Sequence, residues 1–201
     1  MANRCYLYST NVIPGASDEL DDRKMIGISE WDYEIPIVSK LLLSGNPKTC
    51  RSSLWENPEE IALIGDYASG VKNLENFLSQ IELEAAQNLI AETIEFLNRP
   101  ENQNQYFVFE CGEIFDMGDT PLFEQNLALL EELKNMQPEV ERALQSLVPP
   151  PIEVHKSAGF FAKLFGRTSK SSVPVHDLMK SIDDLGLGNW SNILYFDFSG
   201  D

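Results

Sequence analysis

Gln105-Tyr106-Phe107-Val108-Phe109 (QYFVF) is the stretch on which the fold turns. Four of its five residues are aromatic or β-branched, the types that suit a pleated surface, so it reads as an internal strand. Helical patterns flank it on both sides. Before it, residues 82–97 place Leu83, Ala86, Ile90, Ile94 and Leu97 at helical spacing, with Pro100 beyond the end. After it, Thr120-Pro121 gives a cap and a first-turn proline to a helix whose core face is Phe123, Leu127, Leu130 and Leu133. Pro138 either kinks that helix or begins another with Val140, Leu144 and Leu147.

Further out the pattern continues. Asn57-Pro58-Glu59-Glu60 reads as a helix start, with Asn57 as cap and Glu60 closing a capping box. Ile61, Ile64, Ala68, Val71, Leu74, Leu78 and Ile81 follow as an apolar stripe, which Gly65 and Gly70 weaken enough to leave two helices open. At the start of the chain, Cys5, Leu7 and Ser9 alternate with Arg4, Tyr6 and Tyr8, a strand pattern. An acidic connection leads to a second apolar run, residues 25–29, and the two runs suit a hairpin with a long loop. Residues 36–43 turn helical and stop at Gly45-Asn46-Pro47, and Asn192 to Phe198 (NILYFDF) reads as a last strand. Two strands, helices, a strand, helices and a strand do not alternate as βαβ units. The order predicts an α+β fold, a mostly antiparallel sheet of about four strands with four or five helices packed on it.

Charge narrows the function classes. In 201 residues, 15 Lys+Arg stand against 32 Asp+Glu, a net charge of −17. That balance excludes generic binding to a phosphate backbone and disfavours anionic membranes. Residues 56–153 hold four bases and 20 acids, so the helical centre carries nearly all of the negative field. No apolar run reaches membrane-spanning length, and Met1 to Tyr8 lacks the apolar centre of a signal peptide. Cys5, Cys50 and Cys111 are odd in number and widely spaced, which reads as three reduced thiols in a cytoplasmic protein.

The chain reads as a single domain over 1–201 with a flexible basic excursion at 149–176. Pro149-Pro150-Pro151 is a stiff break, and 154–176 holds four Lys/Arg and no acid. Because Tyr195, Phe196 and Phe198 call for burial, the tail is expected to return to the core.

Three stretches, Met1 to Ser9 (MANRCYLYS), Gly27 to Pro36 (GISEWDYEIP) and Ala62 to Gly70 (ALIGDYASG), resemble a family of uncharacterised bacterial proteins. The resemblance covers roughly the first half. It implies a bacterial cytosolic protein and supplies no activity and no functional residue.

Catalytic and metal signatures are sparse. The two histidines, His155 and His176, form no H-E-x-x-H and no Cys–His arrangement at ligand spacing. Glu110, Glu113, Asp116 and Asp119 recur at every third residue, but they run from strand to loop to helix cap and do not share a face. No cofactor and no catalytic residue is assigned, and the balance leans away from an enzyme.

Two segments point to binding. In Glu30-Trp31-Asp32-Tyr33-Glu34-Ile35, an extended chain sets Glu30, Asp32 and Glu34 on one side and Trp31, Tyr33 and Ile35 on the other. The aromatics are either a core face or an exposed anchor rimmed by acids, which suits a basic partner. Phe160, Phe161, Leu164 and Phe165 form an apolar island in the basic excursion, either folded onto the core or a docking peptide. The expectation is a non-enzymatic acidic binding protein, in its concrete form an immunity-type inhibitor of a basic protein toxin. An enzyme using carboxylate chemistry and an adaptor docking through 157–166 are the alternatives. No nucleic acid and no membrane span is expected, and homo-oligomerisation stays open.

Overall fold

The computed structural model describes residues 3–16, 23–148 and 175–198, with side chains in the last stretch from Met179 on. The excursion of 149–176 falls outside the described residues except for its last two, with which a helix begins. Phe160, Phe161 and Phe165, and the docking segment 157–166, lie outside them too.

Five antiparallel strands form one sheet: β1 (Arg4–Thr10), β2 (Met25–Asp32), β3 (Lys48–Cys50), β4 (Ala62–Asp66) and β5 (Tyr106–Glu110), in the order β2-β1-β5-β4-β3. Among the described residues seven α-helices accompany them: α1 (Ile37–Leu43), α2 (Tyr67–Leu78), α3 (Gln87–Leu97), α4 (Gly112–Phe115), α5 (Leu122–Leu133), α6 (Gln137–Ser146) and α7 (Val175–Asp183). This is the expected α+β class. The β1–β2 hairpin with its long loop is also as expected, and QYFVF supplies the strand at the centre of the sheet.

Two readings are corrected. The stripe from Ile61 to Ile81 is not one helical face, because its first part is β4. Ile61, Ala62, Leu63 and Ile64 are all buried. A short apolar run buried on both faces looks the same to strand and helix templates. The capping signal at Asn57 is real but local: Asn57 Oδ1 accepts the Glu59 N–H at 2.9 Å and makes a turn. The second correction is the C-terminal strand. Residues 192–198 form no strand, and the last ladder contact is an isolated bridge from Ser29 to Trp190. The tail does return to the sheet, held by side chains: Asn192 Nδ2 donates to Gly27 O at 2.8 Å, and the Tyr8 hydroxyl donates to Phe196 O at 2.8 Å.

Each sheet face has its own cover. Cys5, Leu7, Ile28, Leu63, Phe107 and Phe109 face the helices and join the main core. α1 is buried almost all round, as a helix apolar on every side must be. Gly70 lets α2 lie directly on it, since a Cβ there would collide with the Leu42 carbonyl. The opposite face presents Tyr6, Tyr8, Cys50, Ala62, Ile64 and Val108, and Leu194 of the tail packs against them.

Candidate functional site

β2 is an edge strand, and its C-terminal end builds the site. The β1 ladder sets Cys5 opposite Trp31 and Arg4 opposite Asp32. Tyr33 then leaves the strand at φ 63°, its N–H donating to Asn3 O at 2.7 Å. That left-handed conformation is costly for a large side chain and common only for glycine and asparagine. The turn also breaks the extended alternation. Glu30 and Asp32 stay together beside Arg4, whose Nε lies 2.8 Å from Asp32 Oδ1 and 3.8 Å from Glu30 Oε1. Glu34 swings away to accept the Trp31 indole N–H at 3.3 Å.

The aromatics divide likewise. Trp31 and Ile35 pack partly buried against the main core, while Tyr33 is 60 % exposed. The segment is therefore neither a pure core face nor a pure exposed anchor.

The C-terminal segment completes the site. Gly186 and Gly188 take φ 89° and 94°, which bends the chain back along the outer edge of β2. Ser191 N–H then donates to Ile28 O at 3.1 Å. Trp190 stacks on Phe96 at 5.9 Å and donates its indole N–H to Thr93 Oγ1 at 2.9 Å. Beyond it, Ile193 is 77 % and Tyr195 56 % exposed. The Tyr195 N–H donates to Glu30 Oε2 at 2.8 Å, and the Arg4 guanidinium lies 5.3 Å from the Tyr195 ring centroid. Between the end of β2 and this segment lies a cleft of about 630 Å³, walled by Arg4, Trp31, Asp32, Trp190 and Ile193. Trp190, Ile193 and Tyr195 were not legible as site residues. Their only sequence signal is apolar bulk near the end of the chain, which reads as a demand for burial.

The acid row beginning at Glu110 disperses. Glu113 accepts the Arg4 backbone N–H at 2.9 Å and the Tyr6 hydroxyl at 3.0 Å, whereas Asp116 and Asp119 are exposed. Among the described residues no group of three or more His, Cys, Asp or Glu is placed to hold a metal ion. Glu110 is 1 % exposed, accepting the Ser52 hydroxyl and the Ser53 N–H at 2.6 Å each. Burial pushes its carboxyl up to about 7, and the two serine donors and the Arg23 charge oppose that rise. The helical acids are also partly spoken for. Lys40 Nζ bridges Glu139 at 3.0 Å and Glu132 at 3.1 Å, and Lys134 pairs with Glu131 at 2.6 Å.

A family profile, described as a domain of unknown function (DUF7822), matches residues 11–150. The chain belongs to the DUF7822 family. The matched span starts just after β1 and stops before α7, so Arg4 and the 188–195 wall of the cleft lie outside it. No curated protein and no solved structure matches the chain. No helix among the described residues is long and apolar enough to cross a membrane.

Proposed function

We propose that this DUF7822 protein is a non-enzymatic binding protein that takes a basic protein partner on the surface formed by Trp31, Tyr33, Ile193 and Tyr195, with Glu30, Asp32 and Glu34 at its rim. The observation that carries the reading is Tyr33. A bulky side chain is held at φ 63° and left 60 % exposed, where glycine would serve the fold better. Backbone strain retained around an exposed ring points to a use for the ring. Exposed Ile193 and Tyr195 supply apolar area, and the −17 field, carried mostly by residues 56–153, draws a cationic protein to the molecule. An immunity-type inhibitor of a basic toxin is the concrete form. A bacterial cytoplasm is the proposed setting, supported by the earlier resemblance and by three free, buried thiols.

Carboxylate chemistry fits less well. Among the described residues the acid whose carboxyl burial pushes up, Glu110, is 1 % exposed with both oxygens accepting protein hydrogen bonds, which leaves it closed to a substrate.

The test uses immobilised arginine- and lysine-rich peptides, each with one aromatic residue, probed at low and high salt. The wild type is expected to bind a subset of them and to weaken with salt. Tyr33→Gly keeps the fold and should lose roughly thirtyfold in affinity, the weight of a hot-spot aromatic. Equal binding by Tyr33→Gly overturns the reading.

A further inference from the structure

Cys5 lies in β1, and Cys111 follows the last residue of β5. The β1–β5 ladder pairs Tyr6 with Glu110, so one further step in the same register sets Cys5 opposite Cys111. The side chains are 1 % and 2 % exposed, and both lie on the helix-packed face. Residues directly opposite in an antiparallel pair have Cα atoms about 4.5–5.5 Å apart, within the roughly 4.4–6.8 Å that a disulfide spans. Cys50 sits on the other face, and its ladder partner is Ala62.

Cys5 also fastens the turn of the candidate site. Its Sγ–H points to two carbonyls of that turn, Glu34 O at 3.4 Å and Trp31 O at 3.7 Å.

We propose that Cys5 and Cys111 are a redox-convertible pair, closed to a cross-strand disulfide by oxidised glutathione, and that closure withdraws the thiol donor from the Trp31–Glu34 turn. One protein thiolate attacks a sulfur of the oxidant, forming a mixed disulfide and expelling one glutathione thiolate. The second protein thiolate attacks the protein sulfur of that mixed disulfide and expels the other. Two protein thiols are oxidised, one small disulfide is reduced to two thiols, and the two protons finish on glutathione. The S–H facing Glu34 O is consumed. Burial, then the Cys5 contact, raises the Cys111 thiol well above its ordinary range, so exchange runs slowly, through locally opened molecules. Any effect of closure on partner binding rests on the function proposed above, but the disulfide and the loosened turn do not.

The full chain is incubated with oxidised glutathione at mildly alkaline pH, in buffer and in sub-denaturing urea, then alkylated, digested and analysed by mass spectrometry. The expected product joins the Cys5 and Cys111 peptides, two hydrogens lighter, with Cys50 alkylated. Tyr33 and Glu34 amides should exchange with solvent faster in the oxidised protein. In Cys111→Ser the Cys5 donor remains and closure is blocked, so oxidant should leave those amides unchanged. Cys5 and Cys111 staying reduced in both conditions, glutathionylation without closure, or equal pairing with Cys50 overturns the disulfide. Turn exchange that ignores oxidation, or that responds equally in Cys111→Ser, overturns the coupling. No readout uses a partner, so failure here and failure of the binding proposal are distinguishable.

Discussion

The two faces of the sheet solve burial in different ways. Against the helices, Phe107 and Phe109 of β5 enter an apolar core in which Phe107 stacks on Tyr67 at 4.2 Å. On the other face the same strand presents Val108 and Glu110, and the cover is a loop and an irregular tail rather than helices. Polar tips meet that cover: Tyr8 through its hydroxyl to Phe196 O, and Glu110 through Ser52 and Ser53. One face is held by packed helices, the other by a smaller apolar cluster whose cover is pinned by directed hydrogen bonds. The candidate site lies where the tail cover crosses the sheet edge.

The largest effect expected from this contrast is at Phe107. Phe107→Ala, at a fully buried site, should cost about 3–5 kcal/mol in urea unfolding. Phe196→Ala, at a ring 37 % exposed on the tail side, should cost about 1 kcal/mol or less. Similar costs at the two positions would erase the distinction between the faces.

Next comes Glu110. Its folded-state carboxyl lies at about 7, above the ordinary 4.5. A raised acid adds stability that is fully present below the unfolded value and is lost as pH rises through the folded one. Stability should therefore fall between pH 4.5 and 7 from this group, by about 3 kcal/mol at most. Glu110→Gln should flatten that part of the profile in denaturant melts at several pH values. An unchanged slope would show that Glu110 does not titrate with folding. The Gln amide N–H₂ would also face a serine oxygen already accepting the Leu54 and Trp55 N–H groups at 3.0 and 2.9 Å.

Tyr8→Phe removes the tail's hydrogen bond and leaves the ring. About 1 kcal/mol should be lost, with faster amide exchange confined to residues 194–198. Exchange that rises equally in the helices would mean the tail is not a separate cover.

How much of this was legible follows the same division. β1, β2 and β5 show alternation or aromatic density, and α3, α5 and α6 show helical periodicity, so these elements could be read, although α5 buries Asn126, Leu129, Leu130 and Leu133 and leaves the expected Leu127 39 % exposed. β4 could not be separated from α2, because residues 61–64 are apolar without a break and, buried on both faces, show no strand alternation. β3 has only Lys48, Thr49 and Cys50, too short for any period to show. The tail was read as a strand because Ile193, Leu194, Tyr195 and Phe196 are strand formers. Side-chain bonds from Asn192 and Tyr8 instead set it across the sheet. Of the site, Glu30 to Glu34 was legible as an acidic aromatic run. The positive φ of Tyr33, which moves Glu34 off the Glu30 face, depends on the Asn3 carbonyl thirty residues away and leaves no local sign.

The smallest stability effect is expected at that residue. Tyr33→Gly relieves the left-handed strain but frees the unfolded chain, and the two nearly cancel, leaving stability within about 0.5 kcal/mol of wild type. A loss of several kcal/mol in a chemical melt would make Tyr33 a structural residue and remove the motive for the binding proposal.

The central claim is tested most directly by titrating the protein with an arginine-rich peptide carrying one aromatic residue, while following backbone amide chemical shifts. The largest shifts are expected at residues 30–34, 193 and 195, the turn and the exposed end of the cleft wall. Shifts confined to α5 and α6, around Glu131, Glu132 and Glu139, would contradict it and reduce the interaction to diffuse attraction by the helical acids.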